Sequence, residues 1–313
     1  MRTLLFHRDF QGYSGGHGKV WDYFRHVRAH PHWDARIHFR PGSIDAGNPW
    51  REGGVQELAD WQPDGFDALF LAGMDWQAHP LDDPARPVIN LIQGVRHVDH
   101  ELPLRSFLQR PAIRICVGQP VADALAATGL VHGPILVIDS AVDVDAGVAL
   151  AQRTCEVFIS AQKQPALGAQ VAEQLRARGI NVDCASAWLP RSEFLARMRQ
   201  ARVAVVLPLA REGFYLPGLE AMASGCAVVM PDAVGNRAYA VPGHNVLMPN
   251  MESDALVAAT LDLLGNEHQL HAMAQAGIET AAHHGMAQER AALHRILDNL
   301  DALWAQALIA TSH

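Results

Sequence analysis

Two glutamates eight residues apart, Glu212 and Glu220, sit on either side of Gly213 and Pro217 between two strongly apolar runs. The run at 203–207 reads as a buried strand closed by Pro208, and 227–230 reads as the next, closed by Pro231. Between them, 216–224 reads as a helix with Pro217 in its first turn and Gly225 just past its end. Glu212 then lies in the loop before the helix and Glu220 about one turn inside it. A helix start offers unpaired backbone N–H groups and partial positive charge to an anion. Gly213 lets a ligand approach the backbone closely. Two carboxylates nearby accept hydrogen bonds from vicinal hydroxyls. A polyol carrying a phosphate, such as a nucleotide sugar, satisfies all these groups together. The same pattern also describes an ordinary strand–helix unit with solvated carboxylates.

The elements that must hold this loop belong to a chain of 313 residues with 49% hydrophobic content, enough for two domains with a sizeable core. The net charge of −8 gives no basic footprint for nucleic acid. No apolar run reaches membrane-spanning length, and the apolar start at residues 1–6 is too short for a signal peptide, reading instead as a first strand. Cys116, Cys155, Cys184 and Cys226 lie in apolar runs without a Cys-x-x-Cys pair, which predicts reduced core thiols and a cytoplasmic protein. The 17 histidines are scattered, with no His-Glu-x-x-His, so no metal site is expected. Lysine occurs only at Lys19 and Lys163.

In chain order, a strand at 2–7 runs into a glycine-rich loop, 9–18, and a helix at 19–30. Strands follow at 35–39, 66–72, 87–92, 112–118 and 134–138, with an irregular stretch at 41–54. Ligands of an open α/β sheet bind beyond the carboxyl ends of its strands. That edge would carry Gly15 and Gly16, Asp75, Gln93, Arg96 and His97. A second α/β unit begins with a strand at 157–160 and continues through Lys163, a helix, a strand at 180–185 and a helix at 191–199. Helices at 253–264, 267–283 and 286–308 complete the chain. The expected domains are 1–148 and 149–285, with a hinge near 140–152 and a C-terminal segment at 286–313.

The stretch EGFYLPGLEAMASGCAVV, residues 212–229, resembles the signature of family 4 retaining glycosyltransferases, EGFGLPxLEAMAxGxPVV. The resemblance implies the GT-B fold: α/β, with two Rossmann-like doubly wound domains facing a central cleft, an acceptor-binding N-terminal domain and a nucleotide-sugar-binding C-terminal one. It implies that the last helix crosses back to the N-terminal domain. Lys163 falls where the family carries a lysine on the donor diphosphate. Gly15, Gly16, Arg211, Gly213, Phe214, Tyr215 and Leu216 would surround the donor, with Glu220 on the ribose. Glu212, Lys163 and His97 would be the catalytic set, and Asp75, Gln93 and Arg96 would lie on the acceptor side.

The implied substrate is a nucleotide-diphosphate sugar, used without metal or cofactor. The implied acceptor is a glycan, a lipid-linked glycan or a small molecule; no nucleic acid is involved, and membrane association is at most peripheral. The chain departs from the family in three places. Ser160 or Ala161 stands where an arginine is usual, Gln93 stands where a histidine is common, and Tyr239 replaces an acidic residue. A non-catalytic sugar-nucleotide-binding partner protein, or an epimerase or phosphorylase on the same fold, is the alternative reading.

Overall fold

The first strand, β1 (Arg2–Arg8), buries Leu4, Leu5 and Phe6 completely. Such uninterrupted apolar runs belong to parallel sheets covered on both faces. α1 (Gly15–Arg28) returns the chain to β2 (Trp33–Phe39). The short α2 (Pro49–Glu52) and β3 (Glu57–Leu58) follow, then β4 (Ala68–Ala72), β5 (Val88–Ile92), β6 (Ile113–Cys116), α3 (Gln119–Ala126) and β7 (Ile135–Val137). All seven strands run parallel in the order β3-β2-β1-β4-β5-β6-β7. Phe6 ties the layers together, stacking on Phe70 at 4.4 Å and meeting Phe24 of α1 edge-on at 5.2 Å.

This computed structural model describes residues 1–79 and 86–309. Contacts divide the chain into one unit of Met1–Ser140 with Ala287–His313 and a second of Ala141–Met286. Residues 141–148, inside the expected hinge and grouped with 1–148 from sequence, lie in the second unit: Val142 N–H donates to His284 O at 3.0 Å and Gly147 N–H to Ser224 O at 3.2 Å.

The second unit alternates β8 (Cys155–Ser160), α4 (Pro165–Arg176), β9 (Val182–Ala185), α5 (Arg191–Arg199), β10 (Ala201–Val206), α6 (Leu216–Ala223) and β11 (Ala227–Val229). α7 (Ser253–Gly265) and α8 (Glu267–Ala282) pack on this sheet and on α6. Its four strands are parallel in the order β11-β10-β8-β9. Val157, Ile159, Val203, Val205 and Val229 meet Val171, Leu256 and Met273 in one core.

α9 (Met286–Asp298) and α10 (Leu300–Ile309) end the described chain, where a single helix was expected at 286–308. Asn299 separates them. Its side-chain amide donates to Arg295 O at 2.8 Å, competing with helix continuation. Residues 310–313, the end of the expected C-terminal segment, lie outside the described residues. α9 docks on the first unit through a buried cluster: the Lys19 ammonium donates to Glu289 Oε1 at 2.9 Å, and His26 Nε2 meets Glu289 Oε2 at 2.9 Å.

Candidate active site

Strand order decides where each unit can bind a ligand. In the second sheet the chain passes from β8 outward to β9, then crosses to β10 on the other side of β8. The loops after β8 and β10 therefore diverge, leaving a crevice at their carboxyl ends, the usual ligand position in a doubly wound sheet. Lys163 follows β8, and residues 208–215 follow β10. The crevice brings them together: Lys163 Nζ donates to Glu212 Oε1 at 2.6 Å and lies 5.3 Å from the centroid of the Tyr215 ring. Glu212 Oε1 also accepts from the Leu209 N–H at 3.1 Å. Burial first, then the Glu212 and Glu220 charges, push the Tyr215 phenol well above its ordinary range. Tyr215 therefore stays a neutral hydroxyl, hydrogen-bonded with Ser160.

α6 starts at Leu216 behind Tyr215, which supplies no side-chain cap. α4 likewise starts behind Gln164 without one. Orphan N–H groups at such helix starts favour an anion. Glu220 is buried on α6, and Arg191, the first residue of α5, closes on its Oε1. Arg211 is exposed one residue before Glu212. Gly213 and Phe214 are buried, and the turn containing Gly235 presses on them: a Cβ on Gly235 would come within 2.9 Å of Gly213 C and Phe214 N. Tyr239 holds this turn in place. It is buried, and its hydroxyl donates to Tyr215 O at 2.5 Å, pinning the backbone at the entrance to α6.

The first sheet has its own divergence point, between β1 and β4. A pocket of about 260 Å³ opens there, lined by Arg8, Asp9, His17, Asp75 and Gln93 among others. Arg8 ends β1 and reaches Asp75 Oδ2 at 2.5 Å with Nη1 and His17 Nδ1 at 2.8 Å with Nη2. Asp75 is buried and also accepts the Ala72 N–H at 3.0 Å. Burial pushes its carboxyl up to about 6 against the opposing pull of Arg8.

Two sequence expectations change here. The segment 14–18 is no open glycine loop but the first turn of α1, with Ser14 as its N-cap accepting the His17 N–H at 3.3 Å. Gly16 instead makes room for Gln93, whose amide donates to Gly16 O at 3.0 Å; a Cβ at 16 would lie 2.6 Å from Gln93 Oε1. Arg96 and His97 do not line the pocket. Arg96 is exposed. The His97 ring is buried, with Nδ1 on Gly94 O at 3.1 Å and Nε2 enclosed without a hydrogen-bond partner. Burial pulls it down to about 4.

Arg8, His17 and Arg191 escaped the sequence reading. Arg8 had a signal, being the last residue of a strand aimed at the ligand edge. Arg191 had none, because only the fold sets α5 against α6.

The first unit should lose stability in acid. Burial lowers His7, His17 and His97 each to about 4, so the unfolded chain takes up protons near pH 6.5 while the folded one waits until about 4. Their contribution is present above about 6.5 and lost as pH falls to about 4. Asp75 runs the opposite way: it holds its proton up to about 6 when folded, and its contribution is lost as pH rises from 3.8 to about 6. Three groups outweigh one. Tryptophan fluorescence reads this unit, since Trp21, Trp33, Trp50, Trp61, Trp76 and Trp304, six of the seven tryptophans, lie in it. The fluorescence-detected melt is expected to drop between pH ~7 and ~4.5, and to drop further in Asp75→Asn, which removes the opposing group. Equal melts at both pH values would contradict this.

Among the described residues no group of three or more His, Cys, Asp or Glu side chains is arranged to hold a metal ion. No described helix is long and apolar enough to cross a membrane. The four cysteines are free thiols; burial pushes Cys116 up to about 12 and Cys226 up to about 11.

Residues 147–266 match the family model described as Glycosyl transferases group 1. No curated protein sequence matches the chain. Among solved structures, the chain is similar to sucrose-phosphate synthase from Thermosynechococcus elongatus, with a TM-score of 0.73 and 12% identity over 96% of this chain and 100% of that one. It is similar to Anabaena HepE in complex with UDP and glucose, with a TM-score of 0.72 and 12% identity over the same shares. It is also similar to a putative UDP-N-acetylglucosamine 2-epimerase from Listeria monocytogenes, with a TM-score of 0.63 and 12% identity over 96% of each chain. The architecture is the GT-B fold.

Proposed function

We propose that this protein is a retaining glycosyltransferase that moves a sugar from a nucleoside-diphosphate donor to a hydroxyl of a glycan, lipid-linked glycan or small-molecule acceptor. One observation carries the reading. Lys163, Glu212, Tyr215 and Glu220 converge where the second sheet's loops diverge, beside two helix starts without side-chain caps. The match of residues 147–266 to the group 1 glycosyltransferase model supports it, and the UDP and glucose bound in the HepE complex indicate the donor class.

In this reading the diphosphate lies on Lys163 and the first turn of α6. Their positive charge stabilises the negative charge that builds on the leaving phosphate, so the protein itself supplies neutralisation. Glu220 takes the ribose hydroxyls, and Glu212 takes hydroxyls of the transferred sugar once Lys163 turns to phosphate. The acceptor attacks from the face the diphosphate leaves, and the departing phosphate oxygen takes its proton. A double displacement would instead need a carboxylate nucleophile on the opposite face. Asp75, held by Arg8 and the Ala72 N–H, serves the acceptor pocket of the first unit, with His17 and Gln93 beside it. The chain works in the cytoplasm and meets a membrane only at its surface.

A thermal-shift panel of nucleoside diphosphates and nucleotide sugars tests the donor site, because a ligand that binds only the folded state raises the melting temperature. A rise with at least one diphosphate, followed by nucleoside-diphosphate release on adding acceptor and an α- or β-linkage matching the donor, is the expected result. No rise with any member would end the proposal. An epimerase keeps the same donor site, and the Listeria likeness favours testing for it. Recovery of an isomeric nucleotide sugar without acceptor would select that reading.

A further inference from the structure

Two cations of the donor site are already engaged by carboxylates. Lys163 is held on Glu212 Oε1 at 2.6 Å, and Arg191 is held on Glu220 Oε1. The two pairs belong to one cluster: Tyr215 lies under the Lys163 ammonium at 5.3 Å, and both carboxylates act on its phenol. Within the second pair the partners differ. The Glu220 side chain is 3% exposed on a helix, whereas that of Arg191 is 35% exposed at the start of α5. Arg191 can turn away while Glu220 stays. A carboxylate left buried without a partner is costly, so Arg191 can leave only if another donor replaces it.

We propose that this site selects its ligand by exchanging an ion pair: Glu220 is a built-in counter-ion that releases Arg191 to phosphate only when the incoming molecule offers hydroxyls in return. Arg191 is then the second phosphate cation, standing in for the arginine absent near Ser160. The inference rests on the donor-site reading above and deepens it. A diphosphate alone brings charge but no hydroxyl donor, and binding it strands Glu220. A nucleoside brings hydroxyls but no charge to draw Arg191 away. A nucleoside diphosphate brings both, with its ribose hydroxyls on Glu220 and its phosphates on Arg191 and Lys163. The preference for whole nucleotides over inorganic phosphates then comes from the protein's own carboxylates, before any contact with the base.

Calorimetric titration of the full chain with UDP, uridine and inorganic pyrophosphate tests the exchange. Wild type is expected to bind UDP and to bind pyrophosphate much more weakly. Glu220→Gln, isosteric and uncharged, removes the ion pair with Arg191; it should strengthen pyrophosphate binding about tenfold and weaken UDP binding. Arg191→Gln should weaken UDP about tenfold and strengthen uridine, because Glu220 is then open to ribose hydroxyls, with Arg191→Lys recovering part of the UDP loss. Pyrophosphate binding that is equal in wild type and Glu220→Gln, or UDP binding that is unchanged in Arg191→Gln, would overturn the exchange while leaving the donor site standing. If wild type binds neither UDP nor any other diphosphate of the thermal-shift panel, the donor-site reading fails and the exchange fails with it.

Discussion

Lys163→Ala is expected to weaken nucleoside-diphosphate binding by about 10- to 100-fold and to reduce sugar transfer at least as much. A hydrogen bond to a charged group contributes about 1.5–3 kcal/mol, and each ~1.4 kcal/mol is tenfold in affinity. The loss is compounded because the Glu212 carboxylate, only 12% exposed at its side chain, then faces the diphosphate with no ammonium between them. Fold stability should barely change. The pair is partly open to solvent, and such pairs contribute about 0–1 kcal/mol. Lys163→Arg keeps the charge but presents a planar fork in place of a compact ammonium, and should recover only part of the affinity. Titration calorimetry on the three proteins decides it. An alanine variant that binds the nucleotide as wild type does would remove Lys163 from the site.

Glu289→Ala is expected to destabilise the first unit by about 3–5 kcal/mol, the usual result of removing one partner from a buried ion pair. The Lys19 side chain is 3% exposed, and that of Glu289 is fully buried. Burial alone would pull the ammonium's proton affinity down, yet Glu289 and Asp22 outweigh it and raise it. Without Glu289 the ammonium loses its nearest counter-charge and His26 Nε2 loses an acceptor. Glu289→Gln keeps the acceptor oxygen and should lose less. Replacing both ends with apolar residues, Lys19→Met with Glu289→Leu, should recover much of the loss, because packing substitutes for the pair without leaving a charge behind. Urea unfolding followed by tryptophan emission reads the effect in this unit. Superimposable transitions for wild type and Glu289→Ala would show that α9 is not fastened through this cluster.

The local parts of the molecule were legible because their causes are local. The run at 203–207 could be recognised as a buried strand from its own residues, and Pro217 and Gly225 mark the ends of α6 within a residue. The α/β alternation and the placement of Lys163 and Glu212 at strand ends followed from the same reading. The glycine-rich stretch departs from its sequence expectation for an equally local reason. Three glycines in five residues signal a turn, but Ser14 caps them into a helix and the close seat of Gln93 requires Gly16 to lack a side chain. The 286–308 helix was read as continuous because its apolar spacing does not register the side-chain bond of Asn299 to Arg295 O.

By itself the amino-acid order determined most of the strands and helices, which loops carry carboxylates and lysine, and that a helix start follows Glu212. Apolar periodicity, proline and glycine act over a few residues, so those features need no partner from elsewhere. Tertiary structure alone decided the pairings. Arg8 meets Asp75 across 67 residues and Arg191 meets Glu220 across 29, because the order of strands in each sheet sets which loops diverge and which side chains fill the gap. An ion pair records no trace in the spacing of its members. It forms where backbone geometry delivers two opposite charges to one place and burial leaves neither a better partner.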